Sequence, residues 1–584
     1  MRYKSLLLLS LLAVSLPCTA VRAAASQVPA TALIPREAVL VVRIRNPKAI
    51  VDQLFSERVK ATVKKLPFYD QALNNPGTKQ AMNLVKYFQT KHDADIPAMI
   101  DALAGGGITF AVGPTGEVLL IVDAKDKAFL DEVHDFFKMM AQGDADKAGD
   151  SGRVASADYR GVTGWKFGPN EVHAIIGNRL LVSNKPDVLK EVIDLRDAGT
   201  GSLADSTSYQ KAVAAAGKDA QVIAYANMGV LKNTPDLRKS LNTSTNPLGM
   251  LLLAPFQAAL REATWLAAGA RLTNDTLQIK FISDGTADAP DAPRGFATLA
   301  KPGDGAMPNL DVPRRIAGFS FYRDLHKFYA AKDELFPERT SGLIFFENMM
   351  GIFFTGRDLT EEVLAGTLPD TRVVVAQQQF NAKTGVPEIQ FPGFAIVMRL
   401  KDPEKFAPVV EEAWQKAVGL INFTRGQQAL PGLIIDRPEY HGTKYTMSYF
   451  SVADEPDAAK ADVRFNFQPS LAFQNDYLIL SSTRDLTENL IDSIKKESEQ
   501  KIKPVAGIHT LGVLDGQNLV SILDANRNTL VRQNMVEDGN SRQEAEAQIG
   551  ILLTIAQYVR DFTIKAGSEK GMSRMTLTLG YELN

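Results

Sequence analysis

The chain has 584 residues, with 65 basic and 67 acidic side chains, a formal net charge of −2, 45% apolar residues and 23% charged ones. These are ordinary globular proportions, and the length suffices for several domains with cores of their own. The slightly acidic balance excludes the basic surface that a nucleic-acid partner demands. The single cysteine, Cys18, excludes a disulfide framework or a zinc–thiolate cluster.

Residues 1–25 read as a signal peptide. Arg2 and Lys4 form a positive start, and the apolar run Ser5 to Leu16 is too short to span a bilayer as a helix. Val21-Arg22-Ala23 or Ala23-Ala24-Ala25 supplies the small-x-Ala cleavage pattern. A lipid anchor on Cys18 is disfavoured by Pro17, where such a signal needs Gly or Ala; an uncleaved anchor is the remaining alternative. With Arg2, Lys4 and Arg22 removed, 62 basic residues face 67 acidic ones, giving a mature chain of net charge about −5 with no cysteine. The expected location is the periplasm or the exterior of a bacterium, with stability coming from the core alone.

The remaining sequence reads twice. The strand-then-helix pair Leu119-Leu120-Ile121-Val122-Asp123 and Phe129 to Val133 has a partner in Ala395-Ile396-Val397-Met398-Arg399 and Phe406 to Val410. Tyr159-Arg160-Gly161 matches Tyr440-His441-Gly442, and Ala174 to Asp194 matches Ala472 to Asp492. Apolar Leu248 to Leu260 precedes a hairpin, Trp265 to Ser283; apolar Ile549 to Tyr558 precedes another, Phe562 to Tyr581. Five matches in one order predict a duplication, with halves at 26–285 and 314–584. Between them, 286–313 carries five prolines and Gly303-Asp304-Gly305, which interrupt helix and central strand alike, and is expected to be a linker.

Within each half a unit of strand, Asn/Asp turn and helix recurs. Asn46-Pro47 introduces Ile50, Val51, Leu54 and Phe55 on one helical face, and Asp402-Pro403 introduces Phe406, Val409, Val410 and Ala413. Asn184 with Pro186, Asp485 and Asp324 read as further caps. Gly177-Asn178 and Asn475-Asp476 each join two short apolar strands, as tight hairpins require. The fold class is therefore α+β: two tandem similar halves of mainly antiparallel sheets built from hairpin-plus-helix units, a helix on one face of each.

Ile34-Pro35-Arg36-Glu37-Ala38-Val39-Leu40-Val41-Val42-Arg43, Tyr159-Arg160-Gly161-Val162, Leu180 to Asn184 and Ser202 to Ser206 with Tyr209 resemble an exported bacterial family, domain of unknown function 3352. The resemblance covers mostly the first half. It implies an extracytoplasmic α+β protein and transfers no activity and no site residue.

Candidate chemistry is sparse. None of the six histidines, His92, His134, His173, His326, His441 and His509, lies at helical metal-pair spacing from another. Ser481-Ser482-Thr483 ends a strand where a nucleophile could stand, but it is also where a helix cap belongs. Ala104-Gly105-Gly106-Gly107 leads into a strand, the wrong order for a phosphate cradle. Neighbouring acidic pairs such as Glu361-Glu362 diverge on a helix and cannot share a proton. No catalytic residue, metal ligand or cofactor site is assigned. One apolar run has no evident counterpart in the other half: Leu343, Ile344, Phe345, Phe346, Met349, Met350, Phe353 and Phe354. Their shapes suit an adaptable apolar groove. The expectation is a non-enzymatic binding or scaffolding protein of the cell envelope, partnered by an envelope protein or an apolar ligand. No nucleic acid is involved, and no transmembrane helix occurs in the mature chain. The alternatives are a carrier of apolar ligands or lipids, and a hydrolase with an unfamiliar site in which Ser481, His441 or Glu347 converge.

Overall fold

The computed structural model describes residues 28–583 apart from 67–68, 151, 169, 243–246, 287–294, 300, 337–339, 381–384 and 451–460. The expected signal peptide, with Cys18, lies outside the described residues, as do 287–294 and 300 of the proline-rich stretch. The chain is α+β, with 45% helix and 28% strand. It divides into two compact units: 1–238 with 263–284 and 583–584, and 239–262 with 285–582.

Among the described residues the first unit holds ten strands: β1 (Leu40–Ile44), β2 (Gly107–Val112), β3 (Val118–Asp123), β4 (Ala155–Tyr159), β5 (Val162–Gly168), β6 (Glu171–Ile176), β7 (Arg179–Ser183), β8 (Val222–Asn227), β9 (Trp265–Leu272) and β10 (Thr276–Ser283). They lie side by side in the order β4-β5-β6-β7-β3-β2-β1-β8-β9-β10, every ladder antiparallel. The second unit holds β11 (Arg315–Tyr322), β12 (Thr367–Ala376), β13 (Gly393–Leu400), β14 (Leu433–Asp436), β15 (Glu439–Tyr440), β16 (Thr443–Phe450), β17 (Ser470–Gln474), β18 (Tyr477–Ser481), β19 (Ile508–Asp515), β20 (Val559–Glu569) and β21 (Met572–Tyr581). Their order, β14-β16-β17-β18-β13-β12-β11-β19-β20-β21, repeats that of the first unit strand for strand, with β15 hairpinned onto β16.

Helices cover both faces of each sheet, not one as expected. The central strands require this, because β7 is buried at every position. In the first unit Leu120, Val122, Leu180 and Val182 face helices Pro76–His92, Ile96–Ala104 and Lys127–Lys147. Alternate residues Leu119, Ile121 and Leu181 point to the opposite face, where helix Pro186–Ala198 buries Val188, Leu189, Val192 and Ile193. In the second unit Ala395, Val397 and Ile479 pack on Leu486, Leu490, Ile491 and Ile494 of helix Arg484–Glu499. Met398, Leu400 and Leu478 pack on Phe406, Val410 and Trp414 of helix Pro403–Gln427.

Several caps stand where the sequence places them. Asn46, Asp324 and Asp402 accept from the amides of Ala49, Lys327 and Lys405. Two do not. The Asn184 side chain accepts from Val118 N at 2.9 Å and donates to Gly116 O at 3.1 Å, tying the β2–β3 turn instead of a helix. The cap of helix Arg484–Glu499 is Thr483, and Asp485 sits in the first turn. The irregular segment 301–313 forms no helix or strand, yet Leu310 and Val312 are in the second unit's core.

Candidate functional site

The two sheets differ most on one face. In the first unit Met99, Ile100 and Leu103 of helix Ile96–Ala104 help cover the face of β3 that carries Leu120 and Val122. In the second unit the equivalent strand is β13, and helix Pro403–Gln427 covers only its Met398–Leu400 end. Strand alternation puts Phe394 and Ile396 on that same face, and both are exposed. Ile421, a heptad beyond Trp414 and on the stripe of Val410 and Trp414, is also 44% exposed, farther along the helix where Asn422 ties it to Leu433 of β14.

The eight residues expected to form an apolar contact fall on or just beyond helix Thr340–Phe353. In chain order this helix lies between the first and second strands of its unit, as helix Ile96–Ala104 does between β1 and β2. The apolar run therefore has a topological counterpart that composition alone did not show. Leu343 packs on a cluster of Ala254, Phe296, Ala331, Leu335 and Phe336. Met349, Met350, Phe353 and Phe354 are half-buried. Ile344 and Phe346 are exposed, and Phe345 is 71% exposed, with Ile352 a heptad later at 69%. The one acidic residue of the run, Glu347, is neutralised by Lys332 at 3.0 Å. A helix that is apolar nearly all round and still half open to solvent has the character of an interaction surface.

The polar residues weighed for hydrolytic chemistry do not meet. Ser481 Oγ donates to Thr483 O at 2.9 Å, Glu347 pairs with Lys332, and His441 Nδ1 lies 2.8 Å from Asp492 Oδ1. Among the described residues no three His, Cys, Asp or Glu side chains are grouped as metal ligands.

Other polar features escaped the sequence reading. Arg323 is fully buried, and among the described residues no carboxylate pairs with it; its guanidinium donates to five oxygens, those of Leu251, Leu252, Tyr322, His509 and the Thr510 hydroxyl. Leu251 is the residue whose carbonyl Pro255, within helix Pro247–Glu262, leaves without its helical donor. Burial pushes the Arg323 guanidinium down to about 9. The matched arginine of the first unit, Arg45, likewise follows the first strand and donates to Gly217 O and Lys218 O. Arg372, also fully buried, holds Glu497 at 2.6 Å and stands 4.8 Å over the Tyr477 ring, whose hydroxyl donates to Asp370. Burial raises both Asp370 and Glu497. Charge pairs across the β3–β7 and β13–β18 ladders are reversed between units: Asp123 with Arg179 in one, Arg399 with Asp476 in the other.

The family described as "Protein of unknown function (DUF3352)" matches residues 89–296, in agreement with the resemblance read from the sequence. No curated protein matches the chain. Among solved structures, crystal form I of the protein titled TP0453 is 10% identical, covering 45% of this chain and 81% of that one at a TM-score of 0.24. Crystal form III is 11% identical, covering 46% and 84% at a TM-score of 0.23. A likeness of that size carries no argument about fold or function. Among the described residues no helix is long and apolar enough to cross a membrane.

Proposed function

We propose that this is a non-enzymatic binding protein of the bacterial envelope. Its second unit receives an apolar segment of a partner protein on the Phe394–Ile396 face. The observation that carries the reading is the contrast between matched positions: Leu120 of β3 is packed by helices of its own unit, while Ile396 of β13 stands open. Because the first unit fills this place with an apolar helix, Ile96–Ala104, the fitting occupant is an amphipathic helix that lays its apolar side on the strand. The exposed side of helix Thr340–Phe353 adds a second apolar contact in the same unit. An apolar ligand such as an acyl chain is the other reading, favoured by the adaptable methionines and phenylalanines of that helix.

A photo-crosslinking side chain placed at Phe394 or Ile396 of the full chain, in its native host, tests both. Protein adducts at these two positions, absent when the probe replaces buried Ala395, are the expected result. Lipid adducts select the second reading. No adduct above the Ala395 control at either position ends both.

A further inference from the structure

One connection is short in the first unit and long in the second. In the first, β2 and β3 are joined by the turn 113–117, where the Gly113 amide donates to Glu117 O at 2.8 Å and Lys185 Nζ lies 3.0 Å from the Glu117 carboxylate. In the second, the matched strands β12 and β13 are joined by 377–392. This longer connection is pinned near both ends by side chains distant in sequence. Gln377 Nε2 donates to Ser521 Oγ at 3.0 Å, and Gln378 Nε2 donates to the carbonyls of Phe391 and Asn466 at 2.8 and 3.0 Å. Asn466, 1% exposed, accepts from the Phe391 amide at 2.8 Å and donates to Ile389 O at 2.9 Å. Asn526 makes two more hydrogen bonds with the backbone of Gln390, at 2.9 and 2.8 Å.

The start of this connection, the segment Phe465 to Gln468 and the first turns of helix Arg484–Glu499 enclose a cavity of about 390 Å³. That is the size of a small-ligand site. The cavity lies wholly within the second unit, and its walls are mostly polar. Asp485 and Asn489, one helical turn apart, line it together with Arg314, Gln379 and Gln468. Among the described residues the side chains of Asp485, Asn489, Gln379 and Gln468 have no hydrogen-bond partner in the protein. The Arg314 guanidinium is held at the wall by its Nε, which donates to Gln377 O at 3.2 Å. Phe380 and Phe465, both half-buried, add two apolar panels. Gly393 of β13 also lines the cavity, and strand alternation turns Phe394 and Ile396 to the other side of the sheet. The cavity is therefore separate from the apolar face proposed above.

We propose that this cavity binds a saccharide, taking about one or two sugar rings. Every sugar hydroxyl both donates and accepts, so it is satisfied by a wall that mixes the two roles. Asp485 accepts, Arg314 donates, and the amides of Asn489 and Gln468 do both. Phe380 and Phe465 offer flat apolar surface to the C–H face of a ring. An acyl chain would leave these polar groups without partners, at a cost for each. A phosphate would meet the Asp485 carboxylate as a like charge.

The test is saturation-transfer NMR and calorimetry on the full chain at millimolar probe concentration. The saccharide probes are glucose, N-acetylglucosamine, cellobiose and N,N′-diacetylchitobiose; trialanine and inorganic phosphate, the latter by calorimetry, represent competing classes. The expected result is transfer to the ring protons of at least one saccharide, with affinity weakened about 10-fold or more in Asp485→Asn and in Asn489→Leu. Asp485→Asn keeps the shape of the side chain, so it remains informative should Asn489→Leu disturb folding, which the unfolding midpoint reports. Phe345→Ser, outside the cavity, should bind as wild type does. No transfer to any of the four saccharides overturns the proposal, as does binding that both cavity variants leave unchanged. Binding of trialanine or phosphate alone, lost in the same variants, assigns the cavity to a peptide or an anion and overturns it equally.

Discussion

The Tyr440 hydroxyl donates to the Asp492 carboxylate at 2.9 Å, and the imidazole of His441 holds the other oxygen of the same carboxylate at 2.8 Å. The first unit repeats the arrangement, with Tyr159 at 3.1 Å and Arg160 at 3.1 Å from Asp194. In each unit the residue after the tyrosine takes a left-handed backbone, φ 49° at His441 and 45° at Arg160, followed by a glycine at φ 81° or 76°. Two successive positive φ values make the tight turn that a right-twisted hairpin favours. The tyrosine and the turn residue then pin that hairpin to the helix bearing the aspartate.

Tyr440→Phe is therefore expected to lower unfolding free energy by about 1 kcal/mol, and Tyr159→Phe by a similar amount, in denaturant titrations at pH 7. Burial alone pushes Asp492 up, but the hydrogen bonds from His441 and Tyr440 outweigh it and hold the carboxyl below its usual range. A depressed folded value means that the contribution is complete above the unfolded value of about 3.9 and is lost as the pH falls through the folded one. The gap between wild type and Tyr440→Phe should stay constant from pH 6 to 8 and shrink below about pH 4. A gap that widens on acidification contradicts the assignment.

Arg323 and Pro255 are coupled through one carbonyl. Arg323→Met strips a donor from four backbone oxygens and a hydroxyl, and is expected to cost about 3 kcal/mol or more. Pro255→Ala restores the amide that Leu251 O lacks. On its own it should change stability little, but in the Arg323→Met background it should recover about 1 kcal/mol. Simple additivity of the two substitutions, measured by denaturant unfolding, refutes the coupling.

Arg179→Met leaves Asp123 buried without its partner and should destabilise the chain by about 3–5 kcal/mol. The double variant Asp123→Leu with Arg179→Met should recover most of that loss, since an apolar pair of similar volume replaces a buried ion pair at little net cost. If the double variant is as unstable as the single, the loss comes from packing and not from the unpaired charge.

Phe345→Ser with Ile352→Ser should leave the unfolding free energy within about 0.5 kcal/mol of wild type, because both side chains are already in water. The same pair should reduce the fluorescence of an apolar dye such as bis-ANS bound to the native chain. A large stability loss with unchanged dye binding means that these side chains serve the core.

What the sequence revealed was mostly local. Asn46-Pro47 and Asp402-Pro403 announce their helices because a cap acts within three residues of itself. Asn184 has the same local look, yet its amide is spent on Val118 and Gly116, which the chain brings close only after the sheet has formed. The duplication was legible in apolar strand cores and hairpin turns. Its charged members were not: Asp123 aligns with Arg399, a reversal of sign that reads as mismatch until each is seen beside its partner. Arg323, His134 and His173 gave no signal for a related reason. The partners that bury them, His509 and Leu251 for Arg323 and each other for the two histidines, lie 39 residues or more away, and a lone arginine or histidine in sequence looks like surface. The apolar run at Leu343 to Phe354 was visible by composition, but whether such a helix is covered is decided by tertiary packing.

The reversed charges also bear on how a chain with two copies of one strand order finds its own partners. While folding, β3 could pair with β18 of the other copy, or β13 with β7, since the apolar patterns agree. The first error sets Asp123 beside Asp476, and the second sets Arg399 beside Arg179. In the correct pairings each ladder closes on opposite charges, Asp123 with Arg179 and Arg399 with Asp476. Mixed assembly between copies, a characteristic failure of tandem folds, thus meets like-charge repulsion at the central ladder of either unit. Two ion pairs that add little as stabilisers act as a parity check on the assembly of the molecule.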